Sequence, residues 1–113
     1  MIDRIDTISL QVSDVEKASK WYQELLSLKE SYIGESYRAL SIGSSEMPLT
    51  LEEGIMNIET RTYPIFFTKD IQSAYENLQN KGVEVSEIEH DEPNHFFTFL
   101  DIDNNKLQIC HWK

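Results

Sequence analysis

The sequence has few of the features that accompany secretion or insertion into a membrane. Cys110 is the only cysteine among 113 residues, so no internal disulfide can form, which suits a reducing compartment. No apolar run approaches the roughly 20 residues of a membrane helix. The first six residues, MIDRID, lack both the basic stretch and the apolar core of an export signal. These absences predict a cytoplasmic protein with no membrane partner.

Basic residues and glycine are also scarce. Ten basic residues stand against 20 acidic ones, and the formal net charge of −10 repels phosphate backbones and anionic lipids. Only 4 glycines are present, which is little material for a glycine-rich phosphate loop. We therefore expect no nucleic-acid partner. A neutral or cationic small molecule would meet a more favourable field, although such a charge also serves solubility alone.

The hydrophobic pattern of the first half predicts one β-α-β-β-β unit. Within residues 5–12, apolar and polar residues alternate from Thr7 to Val12, which is typical of a half-buried strand. Ser13 or Asp14 then offers a helix cap, and an apolar stripe at three- and four-residue steps runs from Val15 to Leu26. Three further strands are predicted around 30–33, 37–42 and 49–52.

The second half repeats this order at an offset of 56 positions, which takes Asp14 to Asp70 and Leu51 to Leu107. The prediction is a single domain, with module one at 1–53, a linker at 54–62 and module two at 63–113. In module two, the predicted helix is capped by Asp70 and stopped by Gly82, and a turn at 101–105 joins the last two strands. The predicted strands are 64–68, 83–88, 96–100 and 106–111.

Three segments resemble the vicinal oxygen chelate superfamily, which includes glyoxalases, extradiol dioxygenases, fosfomycin-resistance enzymes and bleomycin-resistance proteins. They are ISLQVSDVEKASKWY at 8–22, FFTKDIQSAYENLQNKG at 66–82 and FTFLDIDNNKLQ at 97–108. The last is similar to the family's Asp-Pro-Asp-Gly-Asn turn and final strand, with Ile102 in place of proline and Asn104 in place of glycine. The resemblance implies an α+β fold of two tandem βαβββ modules, forming a curved mixed sheet or half-barrel around a central cavity. It also implies a homodimer.

The resemblance also implies four positions at which metal-dependent members hold their ion. In this chain they are Thr7, Glu52, Tyr63 and Gln108. A divalent catalytic metal takes several imidazole or carboxylate donors, and only Glu52 is a strong ligand among the four. We therefore expect neither a metal nor another cofactor at the family's usual site.

Period 2 predicts which side chains line the cavity. If Thr7 faces it, alternate residues of each strand share its face. The expected ligand-binding wall consists of Thr7, Ser9, Gln11, Glu52, Tyr63, Ile65, Phe67, Gln108 and Trp112, with Cys110 between the last two. Such a wall combines apolar surface with a few polar groups, as small-molecule sites do. The alternative is that these aromatic residues fill a collapsed barrel.

Other candidate groups have simpler interpretations. His90 and His95 flank Pro93 in a polar stretch, which we interpret as a solvated turn, although a loop here would also chelate zinc or nickel weakly. Cys110 and His111 are strand neighbours, so their side chains should point to opposite faces. Glu52 on the cavity wall is a candidate catalytic base.

Three functions are compatible with these features. The leading hypothesis is a metal-independent protein that sequesters an organic, cationic or aromatic ligand, as bleomycin-resistance proteins do. The second is a lyase or isomerase of the glyoxalase type with Glu52 as base or metal ligand; a dioxygenase is the weaker enzyme hypothesis. The third is a regulatory or protein-interaction domain whose cavity has no ligand.

Overall fold

The computed structural model describes residues 1–55 and 62–113. The chain divides into two compact units, Met1–Asn57 and Ile58–Lys113. Most of the predicted linker, 56–61, lies outside the described residues, and the single-domain organisation stays a prediction. None of the helices in the described ranges is long and apolar enough to cross a membrane.

The first unit is a βαβββ module built on one four-stranded sheet. The sheet order is β1-β4-β3-β2, with β1 and β4 parallel and the other pairs antiparallel. The chain therefore crosses from β1 through the helix to a distant strand and returns by two hairpin connections. The elements are β1 (Ile8–Val12), α1 (Val15–Leu26), β2 (Lys29–Ile33), β3 (Tyr37–Ser41) and β4 (Leu49–Glu53).

Helix α1 begins and ends as its sequence predicts. The Asp14 carboxylate accepts a hydrogen bond from Lys17 N at 3.1 Å, satisfying a free amide of the first turn. The helix ends at Ser27, whose φ of 57° lies in the left-handed region. Tyr22 is fully buried, whereas the neighbouring Trp21 is half-buried, because adjacent helical residues point in different directions.

The helix-facing side of this sheet is the core of the first unit. Its apolar side chains are Leu10, Val12, Leu40, Leu49 and Leu51, each at most 8% exposed. A polar group is also enclosed there: Ser19 on α1 bonds to Glu30 at 2.5 Å, and Arg38 lies 3.5 Å from the same carboxylate. Buried polar atoms need such partners, since an unpaired one costs about 1–3 kcal/mol.

The second unit repeats the module. Its sheet order is β5-β8-β7-β6, again with one parallel pair, β5 with β8. Asp70 caps the helix by accepting from Ser73 N at 3.0 Å, and Gly82 follows the helix with a φ of 81°. The elements are β5 (Ile65–Phe67), α2 (Ile71–Asn80), β6 (Glu89–Asp91), β7 (Asn94–Leu100) and β8 (Lys106–His111).

The strand predicted at 83–88 is wrong. This stretch forms only an isolated bridge, Val85 with Phe99, and the second strand of the unit is instead β6. The ladder breaks because the Ser86 hydroxyl accepts the hydrogen bond of Thr98 N at 2.9 Å, a donor that a regular edge strand would pair with a backbone carbonyl. The apolar residues Val83 and Val85 produced the strand pattern.

The core of the second unit lies between its sheet and α2. Phe97, Phe99 and Leu107 are at most 1% exposed, and Tyr75 of α2 packs edge-on against Phe97 at 5.2 Å between ring centroids. Edge-to-face contacts of this kind are favourable because the ring edge is positive and the ring face negative. Phe97 and Phe99 of β7 therefore face the helix side of the sheet.

The predicted α+β fold of tandem βαβββ modules is confirmed, with one correction to the repeat. Ile65 pairs with Gln108 in the second unit, but its counterpart at the offset of 56, Ser9, pairs with Thr50 rather than Glu52. The two sheets thus differ in register by two residues. A shift of two preserves the face of every side chain, whereas a shift of one would reverse it. The curvature and central cavity stay predictions.

Candidate ligand-binding faces

In each unit we call the side of the sheet opposite the helix the open face. The strand register assigns alternate residues to it, because cross-strand partners project to the same side. On the first sheet the open face carries Ser9, Gln11, Tyr32, Tyr37, Ala39, Thr50 and Glu52. On the second it carries Ile65, Phe67, Phe96, Thr98, Gln108 and Cys110.

Polar contacts organise the β1–β4 edge of the first open face. The Ser9 hydroxyl donates to Glu52 Oε1 at 2.5 Å, so one carboxylate oxygen is already engaged. The Thr7 hydroxyl lies 2.8 Å from that of Thr50 and 2.9 Å from the carbonyl oxygen of Pro48. Gln11 is paired across the sheet with Glu52. The predicted polar residues of this module are therefore brought together, and their role in binding stays a prediction.

A pair of tyrosines, Tyr32 and Tyr37, continues the first open face. Their rings stack with centroids 5.6 Å apart, and Tyr37 is the cross-strand partner of Glu52. The pKa of Tyr37 is raised above its usual value, mainly because its hydroxyl is hydrogen-bonded to the Tyr32 side chain. Gly34 permits the arrangement, since a Cβ there would lie 2.3 Å from Tyr37 Cε1.

Sequence reasoning missed this tyrosine pair. Simple alternation along β2 fails because the register shifts between Glu30 and Tyr32. A β-bulge inserts an extra residue, so counting by two from one end of the strand assigns the wrong face at the other. The only sequence signal was the recurrence of tyrosine on either side of Gly34.

Large apolar side chains are exposed on the second open face. Ile65 is 55% exposed, Phe67 51% and Trp112 56%. Phe67 and Trp112 form an edge-on pair with ring centroids 5.4 Å apart. Three half-exposed residues of this size grouped in one place are more informative than the same residues scattered, because apolar patches mark interaction sites.

The centre of the second open face is less accessible. Gln108 and Cys110 are 8% and 9% exposed, between β5 and β7. Burial raises the pKa of the Cys110 thiol, which disfavours the reactive thiolate. Phe96 and Thr98 belong to this face as well, opposite Cys110 and Gln108, and sequence reasoning did not include them.

Tyr63 has a charged neighbour of its own. The Lys106 ammonium lies 4.3 Å from the centroid of the Tyr63 ring, which is the geometry of a cation–π contact. The positive charge of Lys106 would repel a divalent ion bound at the Tyr63 hydroxyl. This contact was not visible in the sequence, because 43 residues separate the two.

The donor set at the four family positions does not fit a catalytic divalent metal. Glu52 is the only carboxylate among them, and Gln108 is a neutral amide. The Thr7 hydroxyl is hydrogen-bonded to neutral groups, and the Tyr63 ring makes a cation–π contact with Lys106. Over residues 1–55 and 62–113, no three or more His, Cys, Asp or Glu side chains group as a metal site. No reaction step is therefore assigned to a metal at these positions.

The solvated turn predicted around Pro93 is confirmed at Glu92 and Pro93, but residues 90–91 and 94–95 on either side lie in strands and not in a longer loop. They form the β6–β7 hairpin, in which His90 pairs with His95 and a two-residue turn joins the strands. Pro93 is tolerated because it lies in the turn and not within the ladder. The same register places His95 opposite His111. Cys110 and His111 project to opposite faces of β8, as predicted.

The fold and the two open faces define a class of small α+β protein built from paired βαβββ modules. Residues 4–109 match the model of the Glyoxalase/Bleomycin resistance protein/Dioxygenase superfamily. The match spans most of the chain, so the protein belongs to that superfamily, as the resemblance predicted. A search of curated protein sequences finds no match.

Solved structures share the fold over nearly full length. The antibiotic-binding protein TnmS3 from Streptomyces sp. CB03234 is similar with a TM-score of 0.84 at 20% identity, covering 99% of this chain and 98% of its own. The fosfomycin resistance protein FosX from Listeria monocytogenes gives 0.83 at 20%, covering 100% and 96%. Lactoylglutathione lyase from Agrobacterium tumefaciens gives 0.80 at 12%, covering 97% and 94%. Identities this low show the fold alone, since one scaffold hosts many functions.

Proposed function

We propose that this protein binds and sequesters a small organic molecule, without a catalytic metal, on the open faces of its sheets. The observation that carries the proposal is the exposed group Ile65, Phe67 and Trp112 beside the enclosed amide of Gln108. Apolar area supplies affinity, and a few placed polar groups supply orientation. The antibiotic-binding function of TnmS3 supports the same assignment by analogy of fold.

The ligand class follows from charge and aromatic content. The chain carries a net charge of −10, and its first open face places the Glu52 carboxylate across from Tyr37, which stacks on Tyr32. Carboxylates and aromatic ring faces both attract cations. We therefore propose a ligand that carries a positive charge and an aromatic or extended apolar group. A homodimer and a cytoplasmic location belong to the proposal as well.

Tryptophan fluorescence tests this proposal, because the chain has two tryptophans in different units. In a Trp21→Phe background only Trp112 emits, and a ligand on the second open face should quench it in a saturable manner. Trp112→Leu should weaken binding of the same ligand, measured by calorimetry, by about tenfold or more, which corresponds to about 1.4 kcal/mol. Trp21→Phe by itself should leave the Kd unchanged.

The ligand should also be recovered intact. A panel of cationic aromatic compounds is incubated with the protein, and each bound compound is extracted and weighed by mass spectrometry. Saturable binding with unchanged mass supports sequestration. If no compound of the panel quenches Trp112, or if Trp112→Leu binds as tightly as the unmodified protein, the proposal is wrong.

A second candidate function is a lyase or isomerase of the glyoxalase type. The observation that favours it is the exposed Glu52 carboxylate, which Ser9 holds at the β1–β4 edge and which an incoming substrate would reach. If it serves as the base, Glu52→Gln should abolish turnover of an α-keto or thiol-adduct substrate, because an amide cannot accept the proton. Ser9→Ala is the control and should reduce turnover far less. Activity that survives Glu52→Gln would exclude this mechanism.

A further inference from the structure

All three histidines of the chain lie in one row across neighbouring strands. His90 on β6 pairs with His95 on β7, and His95 pairs with His111 on β8. Cross-strand partners project to the same face, so the row occupies a single side of the second sheet. That side also carries Phe97, which packs on α2, so the row faces away from the open face. His90 and His95 are therefore separate from the proposed ligand site, whereas His111, at the other end of the row, contacts Phe67 with ring centroids 5.5 Å apart.

The turn of the β6–β7 hairpin brings His90 and His95 close together. Asp91 and Asn94 are the pair next to the two-residue turn, and the histidines are the next pair along. In a two-residue hairpin the second pair is not joined by ladder hydrogen bonds, and the side chains of such pairs approach each other more closely. The two imidazole rings have centroids 5.9 Å apart.

This separation matches two imidazoles on one ion. A zinc–nitrogen bond of about 2.0–2.1 Å places each ring centroid about 3.2 Å from the metal, so two bound rings have centroids about 4.5–6.4 Å apart, depending on the angle at the ion. The observed 5.9 Å lies within that range. Both histidines are exposed, so rotation about their side-chain bonds is free to turn one nitrogen of each ring towards a shared ion. Water is able to complete the coordination.

Two local features support a cation at this hairpin. The turn residue Glu92 has a φ of 59°, in the left-handed region that favours glycine, and the following Pro93 restricts the turn further. Such a turn holds the pair in one register. Glu89, Asp91 and Glu92 are exposed acidic neighbours in the sequence. Glu89 and Asp91 project to the opposite side of β6, so they are not ligands, but their negative charge raises the local concentration of cations at the hairpin.

We propose that His90 and His95 form a two-ligand site for an imidazole-preferring divalent ion, Cu(II), Ni(II) or Zn(II). Affinity of nitrogen sites generally increases towards Cu(II), so copper should bind most tightly. His111 is not assigned as a ligand, because its ring packs against Phe67, with ring centroids 5.5 Å apart, and its Nδ1 is held by the Thr68 carbonyl oxygen at 2.7 Å, on the β5 side of the row. This site includes none of the four positions at which metal-dependent members of the family hold their ion.

Calorimetric titration of the metal-stripped protein with Ni(II) tests the site in four forms: the unmodified chain and the single variants His90→Gln, His95→Gln and His111→Gln. We expect one Ni(II) per chain, about tenfold or greater loss of affinity in His90→Gln and in His95→Gln, and a change of less than about twofold in His111→Gln, the matched control. Far-UV circular dichroism checks that each variant is folded, which is expected since His90 and His95 are exposed.

Electron paramagnetic resonance of the Cu(II) complex gives a readout independent of affinity. Nitrogen hyperfine structure from two imidazoles is expected in the unmodified protein, and from one in either His90→Gln or His95→Gln. Unchanged Ni(II) affinity in both of those variants would overturn the site. A loss in His111→Gln as large as that in His95→Gln would overturn the two-ligand assignment. Binding that responds to Glu52→Gln but not to His95→Gln would move the ion to the open face and contradict the proposal.

Discussion

Phe97→Ala should destabilise the second unit by about 3–5 kcal/mol, the usual cost of removing a fully buried phenylalanine ring. Phe97 has no exposed surface, and its ring packs against Tyr75 of α2 at 5.2 Å and Phe99 at 6.4 Å. Truncation leaves a cavity beneath α2 that the neighbouring rings cannot fill without leaving their rotamers. Since small domains have about 5–15 kcal/mol of stability in total, this one change removes a large part of it.

Urea unfolding measures the effect, with Trp112 as the reporter in a Trp21→Phe background so that the signal comes from the second unit. Phe96→Ala is the matched control: it is the adjacent residue, has the same side chain, and lies half-buried on the open face. It should cost clearly less than Phe97→Ala. Equal costs for the two substitutions would mean that α2 does not pack on the face of β7 assigned here.

Asp101→Ala should destabilise the turn between β7 and β8 by about 2–4 kcal/mol, because hydrogen bonds to charged groups contribute about 1.5–3 kcal/mol each and orphaned donors carry their own cost. Asp101 is 5% exposed. Its Oδ1 accepts from the backbone amides of Asp103 at 2.9 Å and Asn105 at 2.8 Å, and its Oδ2 accepts from the Asn105 side chain at 3.0 Å. One carboxylate thus organises the whole turn.

The same urea titration quantifies this prediction, and Asp70→Ala provides the comparison. Asp70 is an exposed aspartate that caps α2 through one hydrogen bond, so its loss should cost only about 1 kcal/mol. Asp101→Asn retains one acceptor oxygen and should fall between the two alanine variants. If Asp101→Ala cost no more than Asp70→Ala, the carboxylate would not be the organising group of the turn.

Much of the fold was predictable because its strands and helices depend on patterns among residues that are close in the sequence. Alternation marked β1, the three- and four-residue steps marked α1, and aspartates at the right distance marked both caps. The strand predicted at 83–88 failed for a reason that local pattern does not carry. Its apolar residues alternate as a strand's do, but Ser86 bonds to Thr98 and interrupts the ladder.

For the candidate site, the sequence predicted only which residues of a strand project to the same side of the sheet. Period 2 correctly placed Ser9, Gln11 and Glu52 on one side of their strands and Ile65 and Phe67 on theirs. It did not predict the stacked pair of Tyr32 and Tyr37, because a bulge changes the count within β2. It also did not reveal which residues are enclosed, since exposure depends on strands that are distant in the sequence.

The sequence by itself determined the order of the two modules, both helix caps and the residue types at the four positions that the resemblance compares with the family's metal ligands. These depend on residue type and on contacts between near neighbours, which periodicity and capping report directly. The tertiary structure alone decided the two-residue difference in register between the sheets, the contact of Lys106 with Tyr63, and the row formed by His90, His95 and His111. Each of these joins residues on different strands, and strand register is fixed by long-range pairing that no single segment encodes.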